Sequence, residues 1–400
     1  MEKNKKMKWK EFVVKAKRKV FYIIEPVISK IIYFFPVKKE KIVVDNFGGK
    51  GFGDNPKYIV EELLKQSENI EIIWLVNNLM PKKARKEFPS EIKVRNIDSI
   101  MALYDRATAK VWIDNVRHLH PMRKKENQIY LQTWHGRFGG KLVEKDIEHL
   151  LGPKYVKAAK YDGKITTGII VDSKVQEEYF KRSFWLNDKA EMLRFGIPRN
   201  DILFHMKDDK EYIERLKKEM NIDKTKYYVL YAPTFRDDFL TDGYKIEFEK
   251  VREAFQKVMN RECKIIIRLH PNAAFQKENI RFSKDVIDGT DYPDIQQLAL
   301  VSDAIISDYS TTIFDFSMLN KPAFVCALDF DEYRQKRGFV KEFYEFPFPF
   351  AKTNNELIQN IENYRKDEYN KKINKYFDEN PVYDKGDAAI KTAQWIINKM

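Results

Sequence analysis

Short apolar segments alternate with segments of helical periodicity along most of this chain, starting near residue 42, and no other pattern limits the fold as strongly. The apolar segments fall into two series. They predict strands at 42–45, 72–76, 111–114, 129–134, 165–171 and 192–195, and then at 228–231, 264–269, 304–307 and 323–327. Strands that alternate with helices form parallel sheets. We therefore predict an α/β protein with two Rossmann-like, doubly wound domains that face each other across a cleft.

The length of the chain supports two domains. A chain of 400 residues exceeds the size of roughly 250–300 residues at which single hydrophobic cores stop growing. A charged stretch near 205–225 separates the two strand series, so we predict an N-terminal segment over 1–41, a first domain over 42–215 and a second over 216–400. The two cysteines are too few for a disulfide scaffold or a zinc site built from cysteine.

The N-terminal segment carries most of the positive charge. Residues 1–41 hold 13 Lys and Arg against four Glu, which is +9 of the net +13. The apolar stretch over 20–36 is interrupted by Glu25, Pro26 and Lys30, so it is a poor transmembrane span, and no signal-peptide cleavage site follows it. Lysines beside apolar, aromatic residues are typical of interfacial anchors, and we predict contact with an anionic membrane surface. The alternative is a helix packed on the body with a solvated lysine tail; no nucleic-acid-binding motif is present, so nucleic acid is not an expected partner.

Ligands of doubly wound sheets bind beyond the carboxyl ends of the strands, so the residues after each predicted strand are the candidates for chemistry. After the first strand, four of the 15 glycines lie within 48–53, and we predict cleft contacts by Gly49, Gly51 and Asp54. The spacing matches neither G-x-G-x-x-G nor a P-loop, so the alternative is a plain tight turn.

A histidine stands at another strand end. His135 follows the strand at 129–134, and Arg137 and Lys141 come soon after it. With a pKa near 6.5, a histidine there can accept a hydroxyl proton at neutral pH, beside cations that would contact anions or an acceptor. The alternative is a structural histidine bonded to the backbone.

Two strand ends of the second series carry residues that suit phosphates. Pro233 and Thr234 follow the strand at 228–231. Arg268 and His270 are two residues apart, hence on the same side of an extended chain. We predict that these residues contact a phosphorylated ligand.

A third strand end carries hydroxyls. Asp308 precedes what we call the hydroxyl turn, Ser310, Thr311 and Thr312, where a strand runs into a helix. Hydroxyls and unbonded amides at such a point form an anion site, and N-capping alone is the alternative. Nowhere does the sequence show a metal-ligand spacing or a nucleophilic serine motif.

Together these segments resemble the CDP-glycerol glycerophosphotransferase family, the enzymes of teichoic acid assembly and related capsule synthesis. The resemblance runs from about residue 45 to residue 361. It rests on Asp54-Asn55-Pro56, Gln132-Thr133-Trp134-His135-Gly136, Ala232-Pro233-Thr234-Phe235-Arg236, Arg268-Leu269-His270-Pro271, the stretch from Ser307 to Asp315, and Arg337-Gly338-Phe339. It implies a GT-B fold, with nucleotide bound mainly by the second domain and C-terminal helices that reach back to the first.

The resemblance also implies roles for individual residues. The family's two histidines fall on His135, as the base, and on His270, near the donor diphosphate, and its hydroxyl-rich turn falls on the hydroxyl turn, as a phosphate site. Arg337 is a further expected cleft contact. The chain departs from many members after His135, where residues 137–141 replace Thr-Pro-Leu-Lys, and at 347–349, where Pro-Phe-Pro replaces Pro-Gly-Pro.

The resemblance implies an enzyme that moves glycerol phosphate, or a related alditol phosphate, from a CDP-activated donor to a hydroxyl of a lipid-linked or glycan acceptor, releasing CMP. No further cofactor is implied, and a metal requirement stays open. The alternative enzyme is a GT-B glycosyltransferase that uses a nucleotide sugar, since fold alone does not separate the two. A non-catalytic scaffold would leave both histidines without a purpose. We expect a peripheral protein on the cytoplasmic face of the cell membrane.

Overall fold

The computed structural model describes residues 21, 23–77, 80, 87–117, 122–137, 139–236, 245–270 and 273–400, with the side chains of 274, 275 and 279 excepted. Two parallel sheets organise these residues. The first sheet has the order β3-β2-β1-β4-β5-β6-β7 and the second β10-β9-β8-β11-β12-β13. The strands are β1 Lys38–Asp45, β2 Glu71–Val76, β3 Lys93–Asn96, β4 Ala109–Asp114, β5 Ile129–Gln132, β6 Gly168–Ile170, β7 Glu191–Leu193, β8 Tyr227–Ala232, β9 Cys263–Ile267, β10 Val286–Asp288, β11 Ala304–Ser307, β12 Ala323–Cys326 and β13 Phe350–Ala351.

Helices connect the parallel strands and cover the sheets. They are α1 Asp54–Gln66, α2 Ile100–Thr108, α3 Pro153–Ile165, α4 Lys174–Ser183, α5 Asp201–Met206, α6 Lys210–Glu219, α7 Phe248–Met259, α8 Ile295–Val301, α9 Thr312–Ser317, α10 Phe330–Arg337, α11 Asn354–Glu362, α12 Lys366–Glu379 and α13 Ala388–Lys399. Shorter 3-10 turns lie at Glu144–Leu150, Pro198–Asn200, Ala274–Asn279 and Phe343–Glu345. Because central strands such as β4 and β8 are buried on both faces, they read as nearly continuous apolar runs. The prediction of an α/β fold with two parallel, doubly wound sheets is confirmed.

Both sheets contain a point at which the strand order reverses. In the first sheet β1 pairs with β4, and in the second β8 pairs with β11, so consecutive connections leave these central pairs in opposite directions. The loops beyond such a pair separate and leave a crevice for ligands. The fold therefore creates two adjacent ligand-binding edges, one from each sheet.

The last helix, α13, returns to the first sheet. Ala393 and Ile396 join the core beneath β1 and β2, and the indole of Trp395 donates to Glu191 on β7 at 2.9 Å. We call β1–β7, their helices and α13 the first unit, and β8–β13 with their helices the second unit. The return of α13 agrees with the architecture that the family resemblance implies.

The end of the N-terminal segment forms part of the body. Residues 23–32 are helical, with Phe21 and Ile32 buried against the core of the first unit. β1 begins at Lys38, and the ammonium of Lys41 forms a buried ion pair with Asp105 at 2.6 Å. The lysine tail over 1–20 lies outside the described residues. Within the described part, no helix combines the length and the apolar character needed to cross a membrane.

Several expected strands differ from the observed ones. The strand predicted over 165–171 is shortened to β6, because Ile165 ends α3; an apolar run does not by itself separate a helix end from a strand start. The strand predicted over 129–134 ends at Gln132, because Trp134 adopts a left-handed φ of 51°. β3, β10 and β13 were not predicted, since they are short strands, and β3 is also polar.

Candidate active site

A cleft of about 1630 Å³ lies where the carboxyl ends of the two sheets meet. The first unit contributes the loops after β1, β4 and β5, and the second unit those after β8, β9 and β11. Most of the residues predicted for the site line this cleft: Gly51, Asp54, His135, Arg137, Lys141, Pro233, Thr234, Arg268, His270, Ser310, Thr311, Thr312 and Arg337. Residues from strand ends far apart in the sequence are thus brought into one cavity.

His135 is held in one tautomer by the backbone. Its Nδ1 lies 2.6 Å from the carbonyl oxygen of Asn115, and a carbonyl only accepts, so Nδ1 carries the proton. Nε2 therefore presents a lone pair. Desolvation in the cleft lowers the pKa of His135, so the imidazole is neutral at pH 7. A fixed, neutral imidazole with an available lone pair has the properties of a general base.

The loop that carries His135 is pinned on both sides. Trp134, in its left-handed conformation, donates its backbone N–H to the side-chain oxygen of Gln132 at 2.9 Å. The amide of Asn55 donates to the Trp134 carbonyl at 3.0 Å, and the guanidinium of Arg199 donates to the His135 carbonyl at 2.9 Å. A non-glycine residue in this conformation costs about 1–3 kcal/mol and persists only where its surroundings hold it. The left-handed conformation of Trp134 therefore fixes the direction in which the backbone presents His135.

His270 reaches the same cleft from the second unit. The Phe47 ring contacts both imidazoles, with centroid distances of 5.1 Å to His135 and 6.2 Å to His270. Desolvation, then electrostatic interaction with His135 and with the cations Lys50 and Lys141, lowers the pKa of His270 to about 3. This half-buried imidazole is therefore neutral and surrounded by cationic groups. Such surroundings favour an anionic ligand.

Arg268 and the hydroxyl turn of the second unit form a polar wall of the cleft. Arg268 donates to the carbonyl of Thr290, and desolvation lowers the pKa of its guanidinium to about 10. In the hydroxyl turn, Ser310 donates to Thr312 at 3.0 Å, and Thr311 accepts from the backbone N–H of Arg137 at 3.3 Å. The turn thus contacts the His135 loop directly, and all three of its residues line the cavity.

Comparison with known proteins identifies the family. The family model described as CDP-Glycerol:Poly(glycerophosphate) glycerophosphotransferase matches residues 27–398. The chain belongs to this family. It is therefore a transferase, and the prediction of a glycerophosphotransferase from the sequence motifs is confirmed.

Individual relatives agree with this assignment. The chain is 30% identical to the teichoic acid poly(glycerol phosphate) polymerase of Bacillus spizizenii over 95% of its own length and 98% of the relative's. It is 31% identical to the polymerase of the same name from Staphylococcus epidermidis over 88% of its own length, but it spans only 50% of that longer protein. A solved structure of the wall teichoic acid polymerase TagF superposes with a TM-score of 0.80 at 27% identity and covers 97% of each chain.

In this glycerophosphotransferase, two of the predicted site residues, Asp308 and Gly49, make contacts that hold the loops of the site in place. Asp308 is buried behind the cleft wall, where it accepts from the Thr234 N–H at 2.7 Å and pairs with Arg236 at 2.8 Å. Gly49 does not line the cavity; its φ is +84°, and a Cβ there would lie 2.5 Å from the backbone nitrogen of Asn77. These contacts make Asp308 and Gly49 determinants of loop position, so both stay unconfirmed as ligand contacts.

Arg137 lines the cleft, but its guanidinium is buried in an ionic network between the two units. It pairs with Asp172 at 2.7 Å, with Asp315 of α9 at 3.3 Å and with Asp384. Arg199 extends the network by a bond to Asp315 at 2.9 Å. We call these five residues the interunit network. Because these carboxylates already neutralise the guanidinium of Arg137, its positive charge contributes little to the binding of an anionic substrate.

Sequence reasoning missed several residues that shape the transferase site. Asn115 follows β4 and bonds to His135 and, through its side chain, to the Phe47 N–H at 2.8 Å. Its position at a strand end was a signal that could have found it. Phe47 has the same signal, since it follows β1, whereas Arg199 lies six residues beyond the end of β7 and carried none. Among the described residues, no group of three or more His, Cys, Asp or Glu is arranged to hold a metal ion.

Proposed function

We propose that this transferase moves glycerol phosphate from CDP-glycerol to a hydroxyl group of a teichoic-acid-like or related cell-surface glycan, releasing CMP. The observation that carries the proposal is the position of His135, whose Nε2 lone pair is directed by the Nδ1 bond to Asn115 while His270 and the hydroxyl turn lie in the same cleft. The names of the relatives support glycerol phosphate as the transferred group.

In the proposed step, the acceptor hydroxyl oxygen attacks the β-phosphorus of the donor. A new P–O bond forms as the bond from this phosphorus to the oxygen shared with the α-phosphate breaks, and the bond's electron pair leaves with CMP. His135 takes the hydroxyl proton on Nε2. Phosphoryl transfer depends mostly on positioning and on neutralising phosphate charge. We assign that neutralisation to Arg268, His270 and the hydroxyl turn.

The second unit is proposed as the donor-binding unit and the first as the acceptor unit. The crevice between β8 and β11 is bordered by Pro233, Thr234 and the hydroxyl turn, at the reversal of strand order where doubly wound sheets bind nucleotides. Arg337 lines the same side of the cleft. The loops after β1 and β5 supply the opposite wall, where the acceptor would meet His135.

A membrane surface is proposed as the site of action, on the cytoplasmic face. Ile23, Val27 and Ile31 are spaced four residues apart on the N-terminal helix, and Ile23 is 76% exposed. Phe34, which follows the helix, is 86% exposed. Exposed apolar residues on one helical face, next to a lysine-rich tail, suit an interfacial helix. The cleft extends to Phe21 beneath this helix, so an acceptor on the membrane would have a path to His135.

Nucleotide release tests the proposed function. The full chain is incubated with an acceptor and, separately, with CDP-glycerol, CDP-ribitol or nucleotide sugars, and the released nucleotide is identified. We expect CMP from CDP-glycerol, with a rate lowered about 10²–10⁴-fold in His135→Ala, the usual loss for a missing general base. Exposed His149 provides a matched control, His149→Ala, which should retain the parent rate. Release of a nucleoside diphosphate from a sugar donor alone would favour the glycosyltransferase alternative.

A further inference from the structure

Lys141 is a cation of the cleft that pairs with no carboxylate among the described residues. Its side chain is half-buried and lines the cavity. Within the part of the chain that the structure describes, its ammonium forms neither a hydrogen bond nor an ion pair. By contrast, Arg137 and Arg199 in the same region are each paired with carboxylates. A desolvated, unpaired cation is unfavourable by itself and becomes favourable when an anion enters.

The backbone holds Lys141 at this point. The Tyr179 hydroxyl donates to the Lys141 carbonyl, and Lys141 forms an isolated antiparallel bridge with Phe339 of the second unit. The preceding Gly140 has a φ of +73°, and a Cβ there would lie 2.5 Å from the carbonyl oxygen of Lys341. A side chain at position 140 would therefore clash with the second unit, so glycine is required where the two segments of the chain cross. The lysine is thus held across the boundary between the two units.

Lys141 lines the same cavity as both histidines and interacts electrostatically with each of them. The charge of Lys141 lowers the pKa of both His135 and His270, so it lies near the proton acceptor and near the anion site. Desolvation, offset in part by Asp308, lowers the pKa of Lys141 to about 8. The ammonium is therefore mostly charged at pH 7, in surroundings that an added anion would improve.

We propose that Lys141 is a catalytic residue that binds the β-phosphate, the group being transferred, and neutralises its charge in the transition state. This inference rests on the proposed function. The attacked phosphorus must lie within reach of the nucleophile that His135 deprotonates and also beside the diphosphate site at His270. A cation near both imidazoles, supplied by the first unit, meets both conditions. Lys141 of the first unit and the hydroxyl turn of the second line the same cavity, so both units would contribute to holding the phosphate.

The binding test compares CDP with CMP by calorimetry, using the full chain and Lys141→Met. CDP carries the β-phosphate and CMP does not. We expect Lys141→Met to weaken CDP binding by about tenfold and to leave CMP binding unchanged, which also shows that the variant is folded. Lys145→Met removes an exposed lysine from the same loop region and serves as the control. If both nucleotides lose affinity equally, or neither does, the assignment to the β-phosphate is overturned.

The kinetic test uses CMP release from CDP-glycerol. Losing one preorganised partner of transition-state charge typically lowers kcat about 10²–10³-fold, and we expect this loss in Lys141→Met. Lys141→Arg should recover part of kcat and move the alkaline limb of kcat/KM upward from about pH 8, because arginine stays charged. An unmoved limb and a kcat within a few-fold of the parent would refute the role. If the parent releases no CMP, the proposed function fails, whereas the CDP–CMP comparison still decides where Lys141 binds.

Discussion

The interunit network should couple the stability of the two units, and Asp315→Ala should break that coupling. The Asp315 side chain is 4% exposed. It accepts from Arg137 at 3.3 Å, from Arg199 at 2.9 Å and from the Asn200 side chain at 2.8 Å. All three donors belong to the first unit, whereas Asp315 lies on α9 of the second. The substitution therefore removes a charge that joins the units and leaves Asp54 as the one carboxylate paired with Arg199 among the described residues.

The expected loss follows from burial. Removing one partner of a buried ion pair costs about 3–5 kcal/mol, because the remaining charge is left without compensation. Asp315→Asn keeps an acceptor oxygen and the side-chain volume, so its loss should be nearer 1.5–3 kcal/mol, roughly one hydrogen bond to a charged group. At a urea slope of about 3 kcal/mol/M, the alanine variant should unfold at a midpoint roughly 1–1.7 M lower.

The distribution of tryptophan makes the coupling measurable. The chain has six tryptophans, and the five in the described part all lie in the first unit, at positions 74, 112, 134, 185 and 395. Fluorescence in urea thus reports the first unit, whereas far-ultraviolet circular dichroism reports helices of both. In the parent we expect the two transitions to coincide, as in cooperative unfolding. In Asp315→Ala we expect them to separate.

Asp367→Ala is the matched control, because Asp367 is an exposed carboxylate at the start of α12. Its transitions should stay coincident, with a midpoint near that of the parent. If Asp315→Ala also kept coincident transitions at the parent midpoint, the network would not couple the units and the reasoning from burial would be wrong.

Three further predictions concern binding and catalysis. Because desolvation lowers the pKa of His135 and the base must be neutral, kcat/KM should fall only below pH 6.5 on the acid side; an acid limb above 6.5 would contradict this. His270→Ala, or Ser310→Ala combined with Thr311→Ala, should weaken CDP binding about tenfold in calorimetry, and unchanged affinity would move the donor site elsewhere. Deleting residues 1–20 should reduce co-sedimentation with anionic vesicles while sparing transfer to a short soluble acceptor. Equal sedimentation of both proteins would place any membrane contact in the remaining chain. High salt should weaken the vesicle binding of the full chain, since the Debye length is about 8 Å at physiological salt.

The truncation point itself came from the structure. The charge pattern alone suggested an appendage over 1–41, but Phe21 and Ile32 pack into the first unit, and β1 already begins at Lys38. Removing Lys41 would also leave Asp105 without its buried partner. A charge count cannot show this, since it does not reveal which apolar residues find a core to cover them.

Much of the fold and part of the site followed from local sequence. Central parallel strands are buried on both faces, so they leave apolar runs that can be recognised, and the chemistry of such sheets is confined to strand ends. That rule was enough to select His135, His270 and the hydroxyl turn. The short strands β3, β10 and β13 escaped detection because a segment of a few residues leaves too little pattern.

What each candidate residue does was decided by partners distant in sequence. Arg137 and Lys141 are equivalent in the sequence as cations that follow His135, yet Arg137 is neutralised by Asp315 and Asp384, whereas Lys141 has no such partner in the described part of the chain. The orientation of His135 likewise depends on the carbonyl of Asn115, which carries no side-chain signature. The sequence alone determined which chemical groups reach the cleft, because strand ends are local features. Which of them remain available to a ligand was decided only by the tertiary structure, because ion pairing and desolvation depend on distances between the two units.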